Sequence, residues 1–311
     1  MLLTTISEIP LVQKVHQLEK QIGNTPLIPI RNVFWKKDVQ LLVKLEWQQL
    51  GASVKTRPAF NIIKSAIGRG LLHQGIRLLD ATSGNTGIAY AHISAVLGIP
   101  LTIVLPENAS KERKRILKAL GVELIYTSKF GGTDEAQEKA QDLATKYPDL
   151  YYYADQYSNP ANWQAHQLTT APEIWEQTQQ KITHFVAGLG TTGTFVGTSK
   201  GLKAFNPNIQ SIALQPGTAL HGLEGWKHLE TAKVPAIYDT TLADQHLEIS
   251  TLEAYNYVKQ IAKKEGLLVS PSAAANLAGA IKVAKQLDKG TVVTLFPDDA
   301  SKYGEVLQQL F

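Results

Sequence analysis

The stretch "QLGASVKTRPAF", residues 49–60, sets one lysine between small residues on its N-terminal side and an Arg-Pro pair on the other. Ahead of it, "VQLLVKLE" (39–46) reads as a buried strand. Behind it, "RPAFNIIKSAIGRGLL" from Arg57 reads as a helix with Pro58 in its first turn, where a missing N–H is tolerated. Lys55 therefore stands where a strand hands over to a helix. In an open α/β sheet, ligands bind in the crevice beyond the carboxyl ends of the strands. A lysine is most often a solvated surface charge, but Gly51, Ala52 and Ser53 offer no bulk to shield a cation and would let a ligand reach the backbone.

The rest of the chain repeats this strand-then-helix order. "GIRLLDA" precedes "TGIAYAHISAVLG", "PLTIVLP" precedes "SKERKRILKALG", and "VELIYT" precedes "TDEAQEKAQDLATKY". A second series runs through "ITHFVAGLG", "TFVGTSKGLKAF", "IQSIALQP", "TLEAYNYVKQIAKKEG", "LLVS", "AAANLAGAIKVAKQL" and "TVVTLFP". The alternation predicts βαβ units and two open, twisted α/β domains with mostly parallel sheets, the active crevice lying between them. Residues 215–245, rich in Gly, Pro and Thr, read as an irregular excursion of the length that is often functional.

Composition narrows the chemistry. A chain of 311 residues with 44% apolar and 19% charged residues is that of an ordinary globular protein. The net charge of +4 comes without a basic block, which argues against nucleic acid as partner. No stretch approaches the ~18 apolar residues of a membrane span, and "MLLTTISEIPLVQKVHQ" lacks the pattern of a secretory leader, so a cytoplasmic protein is expected. There is no cysteine, and Met1 is the one methionine. Disulfides, thiolate nucleophiles and thiolate metal sites are thereby excluded, and no metal is expected.

Two further loops carry chemistry. In "ATSGNTGIAYA" (81–91), a strand ends in Thr82, Ser83, Gly84, Asn85 and Thr86 before a helix begins. Hydroxyls, an amide and free N–H groups at a helix N-terminus suit a carboxylate or a phosphate. In "GLGTTGTFVG" (188–197), glycines interleaved with threonines form an anion cradle, without the lysine of a P-loop or the spacing of a dinucleotide fingerprint. A phosphate cradle, a carboxylate loop and an isolated lysine at three strand ends suit one cofactor that bears a phosphate and an aldehyde and acts on an amino acid: pyridoxal 5′-phosphate.

With these motifs in place, the sequence resembles the pyridoxal-phosphate enzymes of the tryptophan-synthase β fold (fold type II), within them the cysteine synthase family, and especially the B-type O-acetylserine sulfhydrylases. The similarity runs from "LEKQIGNTPLIPI" at residue 18 to "KYGEVL", and includes "ATSGNTG", "DQYSNPANWQAH" (155–166), "TTAPEIWEQT" (169–178) and "ITHFVAGLGTTGTFVG" (182–197). The resemblance implies that Lys55 is the Schiff-base lysine and the catalytic base, and that Asn85 partners the 3′-oxygen of the cofactor. Gly190, Thr191, Thr192, Gly193 and Thr194 would cradle its phosphate, and Ser272 of "LLVSPSAAANLAG" would face its pyridine nitrogen. Thr82, Ser83, Gly84, Thr86 and Gln156 would hold the substrate carboxylate. Lys227 and His228 fall where the B-type enzymes carry an arginine pair in the late loop, and are the nearest candidates for holding an anionic sulfur donor such as thiosulfate or the phosphate of O-phosphoserine. The implied reaction is β-replacement on O-acetyl-L-serine by sulfide or thiosulfate, through an α-aminoacrylate, giving L-cysteine or S-sulfocysteine and acetate.

The expected division is a larger cofactor-binding domain, 1–43 with 147–311, and a smaller mobile domain, 44–146. A homodimer is implied, and binding to serine acetyltransferase is left open. The sequence departs from the family pattern in three places: Thr56 replaces an acidic residue, Pro271, Ala273, Ala274 and Ala275 replace glycines around Ser272, and Lys227 with His228 replace the arginines. Alternatives are an O-phosphoserine-dependent synthase, a cysteine lyase or a cystathionine β-synthase of the same fold, or a catalytically idle partner of a sulfur-pathway enzyme.

Overall fold

The structure is a computed structural model that describes residues 10–311. Of the N-terminal stretch "MLLTTISEIPLVQKVHQ", residues 1–9 lie outside the described residues.

Along the chain, α1 (Leu11–Glu19), β1 (Leu27–Pro29) and β2 (Val39–Leu45) lead to α2 (Thr56–Gly68). Next come β3 (Arg77–Ala81), α3 (Asn85–Leu97), β4 (Leu101–Pro106), α4 (Lys111–Ala119), β5 (Glu123–Thr127), α5 (Gly132–Lys146) and β6 (Tyr151–Tyr153). The short α6 (Ala161–Ala165) runs through a π-helical turn, His166–Thr170, into α7 (Ala171–Gln177). Then follow β7 (His184–Gly188), α8 (Gly193–Phe205), β8 (Gln210–Pro216), β9 (Gln245–Ile249), α9 (Thr251–Glu265), α10 (Pro271–Gln286), β10 (Gly290–Phe296) and α11 (Gly304–Leu310).

The strands form two sheets. One is six-stranded in the order β1-β2-β10-β7-β8-β9, parallel except for β1, and the other is four-stranded and fully parallel in the order β5-β4-β3-β6. Because successive strand residues point to opposite faces, both faces of each sheet need cover. Val186, Ile212 and Leu214 pack with Val258, Ile261, Leu277 and Ile281 of α9 and α10, while Phe185, Ala187 and Ala213 meet Ile174, Phe195 and Leu202 of α7 and α8. In the smaller sheet Leu78 and Ile103 pack on α2 and α3, and Leu79 and Val104 pack on Ala136 and Ala140 of α5.

Sheet membership differs from the sequence division in two places. A boundary at residue 44 falls inside β2, which pairs throughout with β10, and a boundary at 146 leaves β6 outside the smaller sheet although it pairs with β3. "YYY" (151–153) is three residues long, too short for an alternating pattern. "LLVS", expected as a strand, makes one isolated bridge, Val269 to Asp299, and Ser270 caps α10 instead.

Candidate active site

Lys55 is the residue immediately before α2. Val54 N–H donates to the carbonyl of Pro297 at 2.8 Å, and Lys302 Nζ to the carbonyl of Ala52 at 2.9 Å, so the Lys55 loop is fastened to the segment after β10. The hydroxyl of Thr56 donates to the carbonyl of Leu50, and this departure from the family pattern thus braces the turn before the lysine. Arg57 is buried and donates to both Glu46 (2.7 and 2.8 Å) and Glu173 (2.6 and 2.8 Å), while Lys44 Nζ reaches Glu173 at 2.7 Å. Two cations and two carboxylates balance there. Burial pushes the pKa of Lys55 down to about 8, against the opposing charge of Asp298.

The 82–86 loop follows β3 and opens α3, whose first N–H groups are free of intrahelical acceptors. Thr82 Oγ1 accepts from Gly84 N–H at 3.2 Å. Thr86 Oγ1 donates to Gln156 Oε1 at 2.7 Å, and Gln156 Nε2 donates to the carbonyl of Ala81 at 3.2 Å. Gln156, seventy residues further along the chain, therefore lies across the loop. Thr82, Ser83, Gly84, Asn85, Thr86 and Gln156 share with Lys55 the wall of a cleft of about 410 Å³.

A smaller recess that shares Lys55, Asn85, Gly190 and Thr191 with this cleft is lined also by Thr192, Thr194 and Ser272. Thr192, which precedes α8, adopts φ +70, a left-handed conformation that costs a β-branched residue of order 1–3 kcal/mol and is held where function requires it. Among the described residues its buried hydroxyl has no partner. A Cβ at Gly190 would meet the carbonyl oxygen of Gly225 at 2.1 Å, so only glycine lets the 225 loop pass this close. Gly193 does not line the recess and packs instead against Asn162. Ser270 Oγ accepts from Ala273 N–H at 3.2 Å and lies 3.1 Å from Ser272 Oγ. Ser270 can thus give its proton to Ser272, whose own proton stays free for the recess. Ala273, Ala274 and Ala275 are wholly buried in a regular helix, so the replaced glycines leave Ser272 in place. An orphaned hydroxyl, a strained helix start, a half-buried lysine on the cleft wall and a facing serine fit pyridoxal phosphate.

Lys227 lines the cleft, 3.7 Å from Asp134 and with its ammonium 4.9 Å from the centroid of the Tyr157 ring. His228 does not; its Nδ1 bonds Thr231 Oγ1 at 2.9 Å and its Nε2 is 3.9 Å from Glu230. Sequence reasoning missed Arg113, Asp298 and Tyr303. Tyr303 donates to Asp298 Oδ2 at 2.7 Å, as does Asn85 Nδ2, and Arg113 lies over the Tyr303 ring while pairing with Glu224 at 2.5 Å. The signal for Asp298 and Tyr303 was "PDDASKY", a charged run directly after the apolar strand "TVVTLF"; Arg113, in the charged helix "SKERKRILKALG", had none.

Comparison with known proteins agrees with this geometry. Residues 18–298 match the family described as "Pyridoxal-phosphate dependent enzyme". The chain is 46% identical over 291 residues to a cysteine synthase of Aquifex aeolicus, covering 91% of this chain and 89% of that protein. It is 37% identical over 288 residues to cysteine synthase B of Escherichia coli, covering 92% and 93%. The solved cysteine synthase of Entamoeba histolytica superposes with a TM-score of 0.89 at 32% identity, over 99% of this chain and 94% of that one. The chain belongs to the pyridoxal-phosphate-dependent enzymes of fold type II and, among them, to the cysteine synthase family.

Proposed function

We propose that the protein makes L-cysteine from O-acetyl-L-serine and sulfide, releasing acetate. The observation that carries this reading is convergence: Lys55, the carboxylate loop and the glycine-threonine loop, from three strand ends in two sheets, line one continuous cleft and recess. The cofactor, when bound, supplies the electron sink for charge developing at the substrate Cα. The start of α3, with Ser83, Thr86 and Gln156, holds the substrate carboxylate and fixes which Cα bond faces Lys55. Lys55 Nζ, with its pKa drawn toward neutrality, takes the Cα proton and returns it after sulfur has joined Cβ. Ser272, a neutral donor, leaves the cofactor ring a weaker sink than a carboxylate partner would, which favours β-replacement over transamination.

A second sulfur donor is supported by Lys227, a half-buried cation in the cleft wall that suits an anion such as thiosulfate, giving S-sulfocysteine. A cytoplasmic site of action and a homodimer rest on the family resemblance, and light scattering tests the latter. The direct test supplies the loaded enzyme with sulfide and either O-acetyl-L-serine or O-phospho-L-serine and identifies the products. Cysteine and acetate are expected from the first; turnover of the phosphate ester alone would overturn the choice of substrate.

A further inference from the structure

Behind the glycine-threonine loop, α6 and the π-helical turn present two buried polar side chains that the proposed reaction does not use, Asn162 and His166. Asn162 Nδ2 donates to the carbonyl of Gln156 at 2.6 Å, which fixes the orientation of the amide because a carbonyl only accepts. The same nitrogen lies 3.2 Å from Thr191 Oγ1, which is therefore the acceptor. His166 Nδ1 lies 2.9 Å from Thr170 Oγ1, and its Nε2 lies 3.2 Å from Thr194 Oγ1. Contact with the loop is direct, since a Cβ on Gly193 would sit 2.0 Å from Asn162 Oδ1.

Counting protons gives these bonds a direction. Thr170 is wholly buried, and among the described residues its hydroxyl has one partner, His166 Nδ1. A buried hydroxyl proton without an acceptor is costly, so Thr170 donates and Nδ1 accepts. Burial, helped by the positive charges of Arg57 and Lys55, holds the His166 pKa well below its ordinary value, so the neutral ring carries a single N–H. That proton is then on Nε2 and points at Thr194 Oγ1. Both Thr191 and Thr194 thus receive a hydrogen bond from behind, and each keeps its own proton for the other side.

We propose that Asn162 and His166 are positioning residues for the cofactor phosphate, which turn the hydroxyl protons of Thr191 and Thr194 into the cradle by donating to their oxygens. This rests on the reading of residues 190–194 as the phosphate loop. Asn162 also links that loop to Gln156, so phosphate seating and substrate-carboxylate recognition share one amide.

The test has two parts on the pyridoxal-phosphate-loaded protein. Long-range ¹H–¹⁵N correlation, with the His166 signals assigned by their loss in His166→Gln, reads the tautomer in the unaltered ring; the Nε2–H form is expected, and the Nδ1–H form overturns the proposal. Cofactor dissociation constants are then compared for Thr194→Val, His166→Leu and His166→Gln. The first two should bind about fivefold more weakly, the range of one neutral hydrogen bond. Gln, whose amide N–H can replace Nε2–H, should restore affinity to within about twofold. Weakening by Thr194→Val without weakening by His166→Leu would overturn the role of His166 alone. Unchanged affinity in both Thr194→Val and Thr191→Val would overturn the phosphate reading and the proposal together.

Discussion

Asn85 Nδ2 donates to Asp298 Oδ2 at 2.7 Å, joining the first residue of α3 to the segment after β10. Lys302 Nζ donates back to Asn85 Oδ1 at 3.0 Å. The amide is held from both ends, by Asp298 and Lys302, and its second N–H is left for the bond to the 3′-oxygen of the cofactor that the family resemblance implies. Asn85→Ala is expected to weaken cofactor binding about fivefold, by the ~1 kcal/mol of one neutral bond. Asn85→Asp, which sets a second carboxylate against Asp298, should weaken it more than tenfold. Fluorescence titration of the cofactor-free protein measures both, and equal affinities for the two variants would contradict the pairing.

Ser272 is the residue of the 270–272 pair that reaches the recess, while Ser270 is occupied in capping α10. Ser272→Ala should cost about 1 kcal/mol of cofactor affinity. Ser270→Ala should instead lower helix stability by about 1 kcal/mol, with a smaller effect on the cofactor. Thermal melts and cofactor titrations, run on both variants, separate the roles; a reversed pattern would move the pyridine partner to Ser270.

The ion network beneath Lys55 has a defined pH signature. Burial alone would raise the Glu173 pKa, but Arg57 and Lys44 outweigh it and hold it at about 2. A carboxylate depressed in the folded state contributes stability that is present above its ordinary pKa near 4.5 and is lost as pH falls through about 2. Glu173→Gln should therefore be less stable than wild type by about 3 kcal/mol at pH 7, where it leaves buried cations short of a partner. Urea melts should show that gap narrowing from pH 4.5 downward. A gap independent of pH would mean that Glu173 contributes by packing alone.

Much of this site was legible because three of its parts are local. Lys55, the 82–86 loop and the 190–194 loop each lie within one strand-to-helix turn, where spacing and residue type report geometry directly. Gln156 and Ser272 came only through family resemblance, since neither neighbours its partner in sequence. Arg113, Asp298 and Tyr303 were missed because their meaning lies in mutual contacts among α4, the segment after β10 and the 224 loop. The pair Lys227 and His228 shows the same limit. Adjacent residues of an irregular loop need not face one way, and only Lys227 faces the cleft.

That difference predicts a split. Lys227→Ala should lower kcat/KM with thiosulfate tenfold to a hundredfold, the ~1.5–3 kcal/mol of a charged donor, while sulfide, which is small, is spared. His228→Ala should leave both reactions unchanged. Steady-state kinetics with the two donors decide it, and equal losses for sulfide and thiosulfate in Lys227→Ala would assign the loop to closure of the cleft.

Lys55, with a pKa of about 8 in the unloaded cleft, is the proposed carrier of the cofactor, and the proposed reaction depends on it. Borohydride reduction of the protein after loading with pyridoxal phosphate at a series of pH values, followed by peptide mass mapping, tests it most directly. The pyridoxyl group should appear on Lys55, and the initial rate of its attachment should rise with pH to a plateau with a midpoint near 8, as the neutral amine becomes available. Labelling of another lysine in its place, or full labelling of a Lys55→Ala variant, would contradict the account.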